Sequence, residues 1–192
     1  MGLTRSDVVA AAMEIVRTDG VAKLSMRNLA GALGIQAPTL YHHVHGKAAL
    51  LDLISAEAFR SLNRPEGAYD QVTTLAEWVA ALRRDVVLLR DLYRLHPGLA
   101  RTVVDHARMK DTGLRNSNFE PPELAALIRL GVPREPAQRM IEAAARWTMS
   151  ALASEDSVAD TLLRDRLFHD GLNLLLLGME RELESRTAGY RP

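Results

Sequence analysis

Residues 29–47 read LAGALGIQAPTLYHHVHGK. Leu29, Ala30 and Leu33 follow the spacing of one helix face, and Gly34 is a stop signal. Pro38 then falls in the first turn of a second helix, where a missing amide proton costs nothing. Two short helices over 26–33 and 37–45, joined only by Gly34, Ile35 and Gln36, make a helix-turn-helix, a motif whose second helix enters the major groove of DNA. Leu40 and Val44, four residues apart, would anchor that second helix on a core. Gln36, Ala37, Thr39, Tyr41, His42 and His43 are then left outside. So short a helix does not stand alone in water, so its use lies in what it presents.

The presented groups suit a duplex. Gln36 can pair bidentately with adenine, Ala37 and the Thr39 methyl can meet thymine methyls, and the Thr39 and Tyr41 hydroxyls can reach phosphates or base edges. Arg27, at the start of the first of the two helices, suits guanine or the backbone. Lys47 opens the following helix, where a cation opposes the helix dipole unless a bound phosphate sits beside it. The histidines admit other chemistry. His42 and His45, three apart, could share a helix face, but no acidic or cysteine ligand lies nearby in sequence, which argues against a metal site. A convex surface helix offers no orienting partner, which argues against a catalytic histidine. The plainer alternative is a helical pair with solvated polar residues and an ordinary surface lysine at 47.

Outward from this motif, the 192 residues suffice for one well-cored domain or a small module joined to a larger one. There is no cysteine, which excludes thiol chemistry and disulfides. The longest uncharged apolar run, GLNLLLLGM from Gly171 to Met179, is far short of the roughly 18 residues that cross a membrane. Arg5, Asp7 and Glu14 stand where a signal peptide would be apolar, so the expectation is a soluble, cytoplasmic chain. Formal net charge is zero, yet residues 1–47 hold five Lys and Arg against three Asp and Glu, a surplus of two that favours a polyanion.

The periodicity is helical nearly throughout, giving an all-α fold. Ser6 is placed to cap a first helix with Val9, Met13 and Val16 inward, ended by Gly20, and Ser25 to cap the second. Lys47 opens a fourth helix to about Arg64. After Pro65, Glu66 and Gly67 comes a long helix with Leu75, Trp78, Leu82, Val86, Leu89 and Tyr93 on its stripe, ended before Pro97. Helices over about 98–110, from Pro122 to Gly131, over 134–154 and over 158–184 complete the chain. The organisation expected is a three-helix module over 1–46, a connecting helix over 47–64 and a helical ligand-binding and dimerisation domain over 65–192. Leu172 to Met179 is apolar almost all round. With Ala143, Ala144, Ala145, Ser150 and Ala151 on the preceding helix, it predicts a four-helix dimer interface of obligate type, on the order of 2,000 Å². A monomer core filled in the same way is the alternative.

LAGALGIQAPTLYHHVHGKAALLDLI resembles the DNA-binding signature of the TetR family of transcriptional repressors, without a gap from about Val9 to Asn63. The resemblance implies a two-fold dimer on a pseudo-palindromic double-stranded operator, with Arg27, Gln36, Ala37, Pro38, Thr39, Tyr41, His42, His43 and Lys47 at the DNA. Residues 167–184 and 78–98 are similar to the tetracycline-responsive branch. That similarity implies effector contacts at Asn63, Asp85, Leu89, Val103, His106, Glu123 and Trp147. In that branch the drug enters as a magnesium chelate, but the metal-ligating histidine falls here on Val103 and its acidic companion on Ser154. No metal or cofactor is therefore expected. From the residues alone, Asp85 and His106 on apolar stripes read either as convergent polar groups of a ligand site or as buried groups satisfied by neighbours such as Arg84 or Arg108. The expected function is a ligand-responsive repressor released from DNA by a small molecule. Its rival is a helical ligand carrier or enzyme whose helix-turn-helix no longer binds DNA; no nucleophile–base pair, paired carboxylates or phosphate loop supports catalysis.

Overall fold

The computed structural model describes residues 3–60, 67–110 and 121–188, without side-chain detail at 55, 58–60, 107–110 and 186–188. Among these residues the fold is all helical: α1 (Arg5–Asp19), a 3-10 turn (Val21–Lys23), α2 (Met26–Ala32), α3 (Ala37–His43), α4 (Lys47–Arg60), α5 (Leu75–Arg94), α6 (Leu99–Lys110), α7 (Pro122–Arg129), α8 (Arg134–Glu155) and α9 (Thr161–Ala188). The chain divides into two compact units, one of Met1–Leu62 with Leu89–Asp111, the other of Asn63–Leu88 with Thr112–Pro192.

The first unit is built on α1. Val8, Val9, Ala12, Ile15 and Val16 are buried along it, and Leu24, Leu29 and Ala30, Leu40 and Val44, and Leu50, Leu51 and Ile54 complete the core of this unit. The end of α5 and all of α6 belong to this unit, because α6 packs on α4. In the second unit the core is formed by Tyr69, Trp78 and Leu82, by Leu124 and Leu127 of α7, by Ala144 and Leu152 of α8, and by Phe168, Leu172, Leu176 and Leu183 of α9. The Trp78 indole N–H donates to the Glu123 carbonyl at 2.8 Å, tying the start of α5 to α7.

Helix ends follow local hydrogen bonding, and here three expectations are corrected. Thr4, not Ser6, caps α1: its hydroxyl accepts from the Asp7 amide at 3.2 Å, while the Asp7 carboxylate accepts from the Thr4 amide at 2.8 Å. A reciprocal box satisfies two amides where a lone serine satisfies one. The second correction is at α3, which stops at His43 because Val44 adopts an extended backbone, φ −143° and ψ 117°. The third is α9, which begins at Thr161, since the Asp160 carboxylate accepts the Leu163 amide at 3.0 Å and so marks the true cap. Ser25 does cap α2, accepting from the Asn28 amide at 3.2 Å. The fourth helix is described only to Arg60, and residues 61–66 and 111–120 lie outside the described residues.

At the start of α5, Glu77 accepts from the amides of Thr73 and Thr74. The Thr73 amide and then its hydroxyl hold the Glu77 carboxyl below the usual carboxylate range, as the Thr4 hydroxyl and then amide do for Asp7. Depressed folded-state values mean that both caps stabilise at neutral pH. The contribution fades as the pH falls through those lowered values.

Candidate nucleic-acid interface

The turn between α2 and α3 depends on Gly34, whose φ of +66° lies in the left-handed region that most side chains avoid. Its amide donates to Gly31, and the Ile35 amide returns to Ala30, which closes α2 and redirects the chain within three residues. Gln36 begins α3 in an extended conformation and its side chain makes no capping hydrogen bond, so its amide group is available outward. Leu40 is 0% exposed and Val44 1%, whereas Tyr41, between them in sequence, is 47% exposed.

α3 therefore seats itself on the core through one narrow edge and turns the rest of its surface out. Gln36, Pro38, Thr39, Tyr41 and His42 are exposed, and Ala37 and His43 half-buried. His42 and His43 occupy the last turn, where the helix dipole favours positive charge. Lys47 is exposed at the first position of α4, just after Gly46, and Arg27 is exposed at the start of α2.

Lys23 and His45 join this surface, though the motif did not single them out as contacts. Lys23 and Arg27 line an open groove of about 580 Å³ between the end of α1 and α2, with Asp19 as its one acidic side chain. The Lys23 carbonyl is engaged by the Asn28 side-chain amide at 2.9 Å, which fixes the backbone there, and Lys23 is exposed. His45 is exposed beyond the end of α3. The four-residue interval between Lys23 and Arg27 was the available signal, but the turn separating them hides it from helical periodicity.

The positions implied as effector contacts are distributed over both units. In the first, Leu89 is buried, Val103 is half-buried, and His106 Nε2 lies 3.0 Å from Asp52 Oδ1 of α4. In the second, Asp85 is 8% exposed and accepts from the Tyr69 hydroxyl at 3.1 Å. Glu123 lies in the first turn of α7. Trp147 packs on Phe168 with ring centroids 6.0 Å apart. Asn63 lies outside the described residues. No group of three or more His, Cys, Asp or Glu able to hold a metal occurs among the described residues.

A glycine-turned helix pair, with its second helix docked by leucine and valine and its polar edge outward, is the architecture of a helix-turn-helix DNA-binding protein. Residues 8–54 match the family model described as bacterial regulatory proteins, tetR family. The class E tetracycline repressor of Escherichia coli is 26% identical over 96% of this chain and 94% of that protein. The class D repressor of Escherichia coli is 34% identical over 50% of this chain, a match that spans only 45% of the relative. The fold is also that of BioQ crystallised with its natural double-stranded DNA operator: TM-score 0.67, 24% identity, 94% of this chain and 99% of that one. Residues 8–54 are thus a DNA-binding domain of the tetR type, and the chain is a DNA-binding transcriptional regulator.

Proposed function

We propose that the chain is a repressor that binds a pseudo-palindromic operator as a homodimer and releases it when a small molecule occupies the helical domain. The observation that carries this reading is the contrast within α3. Leu40 and Val44 are buried, while Thr39, Tyr41 and His42 face solvent between and beside them. Arg27, Gln36, Ala37, Pro38, Thr39, Tyr41, His42, His43 and Lys47 are the DNA contacts, with base readout assigned to Gln36, Ala37 and Thr39 and phosphate contact to Tyr41 and Lys47. Lys23 joins them on the phosphate side.

A two-fold dimer presents two copies of α3 to successive major grooves about 34 Å apart. Support for the dimer comes from α9, where Leu162, Leu163, Leu167, Leu174 and Leu177 are between 49% and 72% exposed. A lone domain rarely leaves so continuous an apolar face to water. At about 1.5–3 kcal/mol for a fully buried leucine, covering these five partly exposed side chains on each of two protomers contributes on the order of 10 kcal/mol, enough to exceed several kcal/mol of association cost.

The effector is a mostly apolar small molecule. The described positions of the second unit assigned to it by the resemblance are Asp85, Glu123 and Trp147. Valine at 103 supplies no ligand to a hard cation, so this effector binds without the magnesium chelate of the tetracycline branch. Release is a population shift, and it requires the effector to bind the low-affinity conformer more tightly than the DNA-bound one. The protein acts by binding rather than by catalysis. No described helix is long and apolar enough to cross a membrane, and a DNA-binding regulator works in the cytoplasm. Selection of bound duplexes from a random pool, followed by a screen for compounds that dissociate them, tests the reading. A selected palindrome and a releasing compound are expected, and a pool that never enriches would refute it.

A further inference from the structure

Gly31 stands in the interior of α2, where a glycine destabilises a helix relative to alanine. Its φ is not positive, so the backbone does not require it. Gly31 is exposed, and a methyl group built on it would meet nothing within 4 Å, so packing within the chain does not require it either. The reason left for a glycine is the close approach of another molecule to the helix backbone.

Gly31 lines the groove between the end of α1 and α2. Arg27, one turn earlier on the same face of α2, lines it too, and Lys23 enters from the 3-10 turn. The Asn28 side-chain amide holds the Lys23 carbonyl at 2.9 Å, which fixes the segment carrying Lys23 against α2. The wall opposite belongs to α1, through the buried Ile15 and the exposed Asp19. Among the described residues the side chains of Asp19, Lys23 and Arg27 have no hydrogen bond or ion pair. Asp19 is also the last residue of α1, where the helix dipole disfavours negative charge. Three charges thus meet at one groove without neutralising one another, and two of the three are cations.

In a helix-turn-helix the first helix crosses the DNA backbone while the second enters the major groove. We propose that the groove between α1 and α2 seats a sugar–phosphate strand of the operator, with Gly31 as the point of closest approach. Lys23 and Arg27 hold one phosphate from two sides. The bare backbone at Gly31 lets the strand lie against α2, and Asp19 repels a phosphate displaced towards α1, which fixes the strand's position. This inference rests on the DNA-binding reading above and gives it an anchor separate from α3 and Lys47.

Fluorescence anisotropy tests it with the full chain and an operator selected from a random pool, carrying a neutral methylphosphonate at one position at a time. In wild type, one phosphate per half-site should show an about tenfold penalty on neutralisation that vanishes in Lys23→Ala and persists in Lys47→Ala. Gly31→Ala should raise the thermal midpoint by about 2–4 °C, since helix propensity improves and nothing obstructs the methyl group. The same variant should nevertheless bind the operator about tenfold more weakly, and Gly31→Gln more weakly still. Asp19→Asn should tighten binding severalfold. Wild-type affinity in Gly31→Ala and Gly31→Gln, phosphate penalties that Lys23→Ala leaves unchanged, or weaker binding by Asp19→Asn would each overturn the seat while leaving DNA binding through α3 in place. A wild-type chain without sequence-selective binding removes the operator reading and the seat together.

Discussion

Leu40 and Tyr41 are neighbours in sequence with opposite duties, and replacing each by alanine should separate them. Leu40 is 0% exposed, so Leu40→Ala removes a fully enclosed side chain from the helix that packs on α2 and leaves a cavity there. Comparable truncations cost about 2.7–5 kcal/mol. Because α3 has only seven residues and no independent stability, relaxation should release the helix rather than close the gap, so about 3–4 kcal/mol is expected. Tyr41, 47% exposed, should cost about 0.5 kcal/mol or less on truncation, the usual figure for surface changes. DNA binding should respond in the reverse sense. One hydroxyl contact at about 1–1.5 kcal/mol, lost from both half-sites, predicts a roughly 30- to 150-fold weaker operator complex for Tyr41→Ala. Urea unfolding followed by circular dichroism, with fluorescence anisotropy on labelled operator, reads both quantities. If Tyr41→Ala destabilises the fold as much as Leu40→Ala does, the division of α3 into seat and reading edge is wrong.

Two buried tyrosines should also part company. Tyr69→Phe removes a donor to Asp85 and should cost about 1–3 kcal/mol. Tyr93, whose hydroxyl is buried with no hydrogen-bond partner among the described residues, should tolerate phenylalanine or gain about 1 kcal/mol from it; the burial that strands this hydroxyl also pushes its pKa up. Gly171→Ala places a methyl 2.7 Å from Trp147 Cζ2, so about 1–3 kcal/mol of overpacking should outweigh about 1 kcal/mol of helix propensity and shift the indole emission.

The helix-turn-helix was legible because its signals are local. Gly34 announces the turn, Pro38 the first turn of α3, and the Leu40–Val44 interval the seat, all within eleven residues. Ser25 was read correctly as a cap for the same reason. Thr4 was missed because a capping box needs the carboxylate at position 7 and the hydroxyl at position 4 to be considered together. The early end of α3 was missed because an extended valine leaves no mark in hydrophobic spacing. Along α9, Leu172 to Met179 read as uniformly apolar. Only the fold separates the inward leucines at 172 and 176 from the outward ones at 174 and 177. Asp85 on an apolar stripe signalled a buried carboxylate, but its neighbour Tyr69 lies before α5, beyond the reach of any helical period.

The most direct test of the central claim is the affinity of the protein for its selected operator, and for the same duplex with one half-site scrambled, across a range of salt. The account predicts that the intact palindrome binds about a thousandfold or more tighter than the bulk of unrelated sequence, weakening steeply as salt rises. Thr39→Ala should erode the preference for the palindrome, while Lys47→Ala should weaken both duplexes alike and lower the salt slope by about one unit per half-site. Equal binding of palindrome and scrambled duplex at low salt by the wild-type protein would contradict it.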